Sequence, residues 1–107
     1  MRKFNYQVVS MAVILRDIID PKYINQEHKD LVDIADCMYN NNLGREYLKP
    51  EYQELYDKYG YAYWQNVLHD ASAIDSQLTG SGTHEQELIL DYSDFISGAL
   101  DPYEKEK

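Results

Sequence analysis

A single cysteine, Cys37, is present in 107 residues. An intramolecular disulfide is therefore impossible, and no thiolate cluster can hold zinc. Long apolar runs are also missing. Nothing approaches the roughly 18 consecutive apolar residues of a membrane-spanning helix, and the stretch MRKFNYQVVSMAVIL, which has the charged start of a leader, is interrupted by Asn5, Gln7, Ser10, Arg16 and Asp17 with no small-residue cleavage site after it. These absences predict a cytoplasmic protein in a reducing compartment.

The third shortage is of positive charge. The formal net charge is −9, and it is unevenly spread. Residues 1–58 carry ten acids and eight bases, net −2, whereas residues 59–107 carry nine acids and two bases, net −7. No Lys or Arg occurs from Tyr59 to Glu104. A half-chain of one sign repels nucleic acid and anionic membrane, and it draws in basic protein surfaces. Direct binding to DNA, RNA or membrane is excluded on this ground, and a protein partner with a basic surface is expected.

What is present is helical periodicity. Phe4, Val8, Met11, Leu15 and Ile18 recur at spacings of four and three, with Ala12 and Ile19 widening the stripe, which predicts a helix from Lys3 to Asp20 ended by Pro21. The same seam would serve a homodimer through the first helix, although packing into the chain's own core is the plainer use of it. Asn25 is a suitable N-cap for a second helix, with Leu31, Ile34, Ala35 and Met38 on its buried face and Asn40, Asn41, Asn42 and Gly44 ending it. Asp30, Asp33 and Asp36 read as its solvated side.

From Pro50 to Thr79 the chain has the punctuation of one long helix or of two helices end to end, with Gly60 the ambiguous point, since it could cap one helix after Lys58 or sit inside a longer one. Pro50 stands at a first helical position and Gly80 just past the end. Tyr52, Tyr56, Tyr59, Tyr63, Val67, Ile74 and Leu78 fall within about 100° of one another on a helical wheel. Because this phase runs through Gly60 without slipping, a continuous or merely kinked helix is expected there, and a short extended piece at YAYW is the second reading. A loop at 79–82 leads to a last helix opened by the capping-box pair Thr83 and Gln86, with Leu88, Tyr92, Phe95 and Ala99 facing inward. The expectation is an all-α fold, a small antiparallel bundle of about four helices with the tyrosine-rich helix 50–79 at its centre. Residues 1–101 would form the single domain and residues 102–107 a charged tail.

Three constellations bear on function. The first is aromatic: Tyr47, Tyr52, Tyr56, Tyr59, Tyr61, Tyr63 and Trp64 lie close together, and Tyr61 and Trp64 project off the predicted stripe, where they would be contact residues for a partner. The second is an acidic ridge. Glu87, Asp91 and Asp94 follow the i, i+4, i+7 rule and Asp101 would continue the same face, with no base interleaved to relieve like-charge repulsion of a few tenths of a kcal/mol per pair. Carboxylates one helical turn apart approximate the spacing of nucleic-acid phosphates. The third is His69-Asp70, a dipeptide that resembles the HD pair of helical metal-dependent phosphohydrolases, with His28 and Asp91 as the further ligands such a site would need. No phosphate-cradling loop or repeated acid box is present, and nothing implies a cofactor or a metal, so a non-enzymatic role is expected.

In size, charge and helical content the chain is similar to the small anti-restriction and anti-CRISPR proteins of phages and mobile elements. That resemblance implies an inhibitor that offers carboxylates in place of phosphates to a nucleic-acid-binding protein. A structural or regulatory self-associating subunit is the alternative.

Overall fold

The computed structural model describes residues 3–19, 23–80 and 83–104, the side chains of residues 79, 80, 83 and 84 excepted. The first helix, α1 (Tyr6–Leu15), starts where Asn5, in an extended conformation, accepts a hydrogen bond on its side-chain oxygen from the Gln7 N–H at 3.0 Å. The predicted start at Lys3 is therefore three residues early. Phe4 instead forms an antiparallel bridge to Tyr103. Around it the Asn5 N–H donates to the Pro102 carbonyl and the Glu104 N–H to the Lys3 carbonyl, each at 2.8 Å. Residues 102–104, expected as part of a tail, are thus tied into the fold, while 105–107 lie outside the described residues. The far end of α1 also stops early. It opens into turns in which the Ile18 and Ile19 N–H groups both reach the Leu15 carbonyl, and the expected terminator Pro21 lies outside the described residues.

Val8, Val9, Ser10, Ala12, Val13, Ile14 and Leu15 are all buried, so α1 is apolar nearly all round and is the central helix of the fold. It packs against the second, fourth and fifth helices. The seam residues Phe4, Val8 and Leu15 are fully enclosed and Met11 and Ile18 half-buried, so the chain's own core occupies the face that a homodimer through this helix would use.

Helix α2 (Gln26–Tyr39) begins as the sequence indicates, with the Asn25 side chain accepting from the His28 N–H at 3.0 Å. It ends in the Asn run, where Asn42 takes a positive φ of 55°. Its buried residues are His28, Leu31, Val32, Ile34 and Ala35. Asp33 and Asp36 are not a purely solvated face: the Arg16 guanidinium lies 3.6 Å from both carboxylates, and Asp33 accepts from the Tyr52 hydroxyl at 3.1 Å. This contact and burial push the Tyr52 phenol up to about 12, burial being the larger cause.

The long central helix is the main correction. After a single 3-10 turn at Arg45–Tyr47, α3 (Pro50–Tyr59) and α4 (Tyr61–Gly80) are separate helices. Gly60 between them has φ 94° and ψ 153°, a region essentially closed to residues with a Cβ. The preserved apolar phase misled because both helices use it to reach the same core, and the break lets Trp64 turn back onto α3. Its indole N–H donates to the Tyr56 carbonyl at 3.0 Å, and its ring stacks on that of Tyr56 with centroids 5.5 Å apart and planes 4° from parallel. The Lys3 ammonium donates to the Tyr59 carbonyl at 3.1 Å, placing a cation at the negative end of the α3 dipole. The Tyr59 carbonyl, which a continuous helix would have paired with the Tyr63 N–H, thus finds another donor, while the Tyr56 carbonyl keeps its helical bond from the Gly60 N–H at 2.9 Å.

Helix α5 (Thr83–Ser97) closes the fold, with Tyr92 buried and Leu88, Ile89, Phe95 and Ile96 half-buried against the core. The Thr83 side chain of the expected capping box and residues 81–82 of the loop lie outside the described residues. Gly98, at φ 88°, ends α5, which leaves Ala99 exposed rather than inward-facing. The described residues are all-helical, with five α-helices in place of about four.

Candidate interaction surface

Glu87, Asp91 and Asp94 are all exposed on α5, on the side away from Tyr92. Their spacing does what the pattern predicts: three carboxylates line one face over two helical turns. Two features make this ridge unfavourable for the helix itself. Asp94 sits in the last turn, where the dipole disfavours negative charge, and the last turn carries no base. Three bases of the N-terminal half are engaged within that half. Arg16 is engaged by Asp33 and Asp36, Arg45 by Asp57 and Lys58 by Glu27, all ion pairs that close within residues 16–58. Arg45 binds Asp57 through both Nε, at 2.8 Å, and Nη2, and that hydrogen bonding holds the Asp57 carboxyl below the usual range.

Asp101 does not continue the ridge. The helix has ended at Ser97, and Asp101 instead accepts from the Tyr103 N–H at 3.1 Å in the segment that bridges to Phe4. The expected phase assumed a helix four residues longer than Gly98 permits.

Beside the ridge, α4 and α5 leave a groove of about 110 Å³ lined by Ile74, Gln77, Leu78, Glu87, Leu88 and Asp91. Its lining joins three aliphatic side chains to two carboxylates. Sequence reasoning placed Ile74, Leu78 and Leu88 in the core. They are half-buried instead. The signal was available in the adjacency of Glu87 and Leu88, where an apolar position directly abuts the ridge.

The aromatic candidates separate. Trp64, expected as a contact residue, is fully buried between Tyr56, Tyr59 and Tyr63, since the Gly60 break rotates it inward. Tyr61 is 69% exposed, and Tyr47, a member of the aromatic cluster not expected as a contact residue, is 68% exposed. Tyr61 lies near Tyr56, whose phenol is pushed up by burial and by that neighbour. Thirteen residues separate Tyr61 from Ile74 on the same helix, about 20 Å at 1.5 Å per residue. Tyr61 and the acidic ridge are therefore not one site.

The polar groups of the interior are organised for folding. The Tyr59 hydroxyl accepts from the Phe4 N–H at 3.3 Å and donates to Glu27 at 3.2 Å. The Tyr63 hydroxyl is buried without a hydrogen-bond partner, and burial drives its pKa far up. His28 accepts from the Ile24 N–H on Nδ1 at 3.3 Å, so the neutral ring carries its proton on Nε2, which is buried and unpartnered among Phe4, Tyr23 and Tyr92. Burial lowers this histidine to about 4.

The HD resemblance does not gather into a site. His28 is enclosed, His69 is exposed, and Asp70 faces Ser10, its carboxyl raised chiefly by burial. Ser10 also reaches the Tyr6 and Val67 carbonyls at 2.8 and 3.1 Å. Among the described residues no group of three or more His, Cys, Asp or Glu side chains is placed to hold a metal ion. No helix among them is long and apolar enough to cross a membrane. Comparison with known protein families, with curated proteins and with solved structures finds no match to this chain.

Proposed function

We propose that the chain works by binding another protein, and that the acidic face of α5 presents Glu87, Asp91 and Asp94 to a basic surface that otherwise holds nucleic-acid phosphates. It would act as an inhibitor of the anti-restriction or anti-CRISPR kind, in the cytoplasm and without a cofactor. The observation that carries this reading is the ridge itself: three exposed carboxylates one turn apart on one helix, the last of them at the end where the dipole disfavours negative charge, with no Lys or Arg from Tyr59 to Glu104. A helix selected only for solubility would gain by interleaving Lys or Arg at i+4.

The test is affinity capture by the tagged protein from cell lysate, with nuclease added, at about 50 and 500 mM salt, a range over which the Debye length shrinks by roughly threefold. A nucleic-acid-binding protein held at low salt, released at high salt and not captured by the triple variant Glu87→Lys, Asp91→Lys, Asp94→Lys is the expected result. Partners that ignore salt and the triple variant would overturn the reading.

A further inference from the structure

The groove between α4 and α5 lies against the ridge but differs from it chemically. Ile74, Leu78 and Leu88 give its lining an aliphatic part, and Gln77, Glu87 and Asp91 give it a polar part with two carboxylates. At about 110 Å³ it is well below the roughly 300 Å³ at which small-molecule sites begin, so its scale is that of one inserted side chain. A side chain that suits both surfaces has an apolar stem and a cationic head. Lysine and arginine share that plan, but the planar guanidinium is the more weakly hydrated and can engage a carboxylate with two parallel hydrogen bonds. No positive side chain of the chain itself is supplied from residues 59–104 to fill this role.

We propose that this groove takes a single arginine side chain from the protein partner, its methylene stem lying on Ile74, Leu78 and Leu88 and its guanidinium meeting Asp91, with Glu87 adding negative charge. The inference rests on α5 being the partner-binding face and specifies what that face selects. Phosphate mimicry by charge alone treats lysine-rich and arginine-rich surfaces alike. A groove of this shape does not: it makes the inhibitor choose partners that carry a protruding arginine, and it gives the interface one anchored residue inside an otherwise diffuse electrostatic contact.

Two fluorescently labelled peptides of equal charge, deca-arginine and deca-lysine, are titrated against the full chain by anisotropy at low salt. The expected result is that deca-arginine binds at least about fivefold more tightly. Asp91→Asn, which removes a groove carboxylate, and Gln77→Trp, which fills the groove without altering charge, should each bring that ratio close to one. Asp94→Asn removes the same charge outside the groove lining and should weaken both peptides while leaving the ratio intact. All three changed side chains are exposed, so folding is not at stake. Equal binding of the two peptides, or a ratio that ignores Asp91→Asn and Gln77→Trp, overturns the arginine groove while leaving the acidic-face reading in place. Failure of both peptides to bind overturns both.

Discussion

Replacing Gly60 by alanine isolates the backbone term at the junction of α3 and α4. A Cβ built at Gly60 meets nothing within 4 Å, so the substitution introduces no clash, and its whole effect comes from φ 94° and ψ 153°. Holding a residue with a Cβ in that region costs of order 1–3 kcal/mol. The gain from a less flexible unfolded chain, roughly 0.4–1 kcal/mol, applies only where the native conformation suits alanine, which here it does not. A loss of about 1–3 kcal/mol is expected, and for a domain of this size each kcal/mol lowers Tm by roughly 4–8 °C. Thermal and urea melts by circular dichroism read the stability. Emission from Trp64, the only tryptophan, reads the junction directly, since its indole is enclosed and stacked on Tyr56. The wild type should emit at short wavelength, and Gly60→Ala should keep that emission while melting earlier. An alanine variant that is more stable, more helical and red-shifted at Trp64 would refute the reasoning, because it would mean that residues 50–79 prefer the single straight helix the apolar phase allows.

Further outcomes follow from the buried polar groups. His28 is held at about 4 by burial against an ordinary 6.5 in the unfolded chain, so the unfolded state binds the extra proton first. Its contribution is intact above pH 6.5 and is lost as pH falls towards 4, by about 3 kcal/mol in all; urea melts at pH 7 and pH 4 should differ more for the wild type than for His28→Leu. Tyr59→Phe strands the buried Phe4 N–H and should cost about 1–3 kcal/mol, whereas Tyr63→Phe removes a hydroxyl that has no partner and should be neutral or slightly stabilising in the same melts. Deleting residues 102–107 removes the two 2.8 Å backbone hydrogen bonds to Lys3 and Asn5 and the Tyr103 ring 4.4 Å from Phe4, so hydrogen exchange at α1 should accelerate. An unchanged exchange pattern would mean that the segment is a tail after all.

The all-α class was legible because period-3.6 patterning is a property of each segment, and the caps at Asn25 and the stop at the Asn run are local chemistry that the chain writes out in order. Gly60 was legible only as an ambiguous point, where a helix could be capped or could run on. A break that leaves the apolar phase unchanged has no signature in periodicity, and only the positive φ separates it from a tolerated mid-helix glycine. The central role of α1 was hidden for a related reason: a helix buried nearly all round shows less amphipathic contrast than one that buries a single face. The bridge of Phe4 to Tyr103 pairs the two ends of the chain, which no local pattern reports. For the surface, Glu87, Asp91 and Asp94 could be placed from spacing alone, whereas Trp64 and Asp101 were misplaced because each inherited its phase from a helix assumed to run on past a glycine. The groove needed two helices side by side, and its lining residues are individually ordinary.

The central claim is that the ridge on α5 stands in for phosphates, and competition tests it most directly. The captured partner is loaded with its labelled nucleic acid, and the protein is titrated in at fixed low salt. Displacement of the nucleic acid is predicted, with a midpoint that rises as salt is added and with no displacement by the variant carrying lysine at Glu87, Asp91 and Asp94. A ternary complex in which nucleic acid and protein are bound together, or displacement by the triple variant as effective as by the wild type, would contradict it.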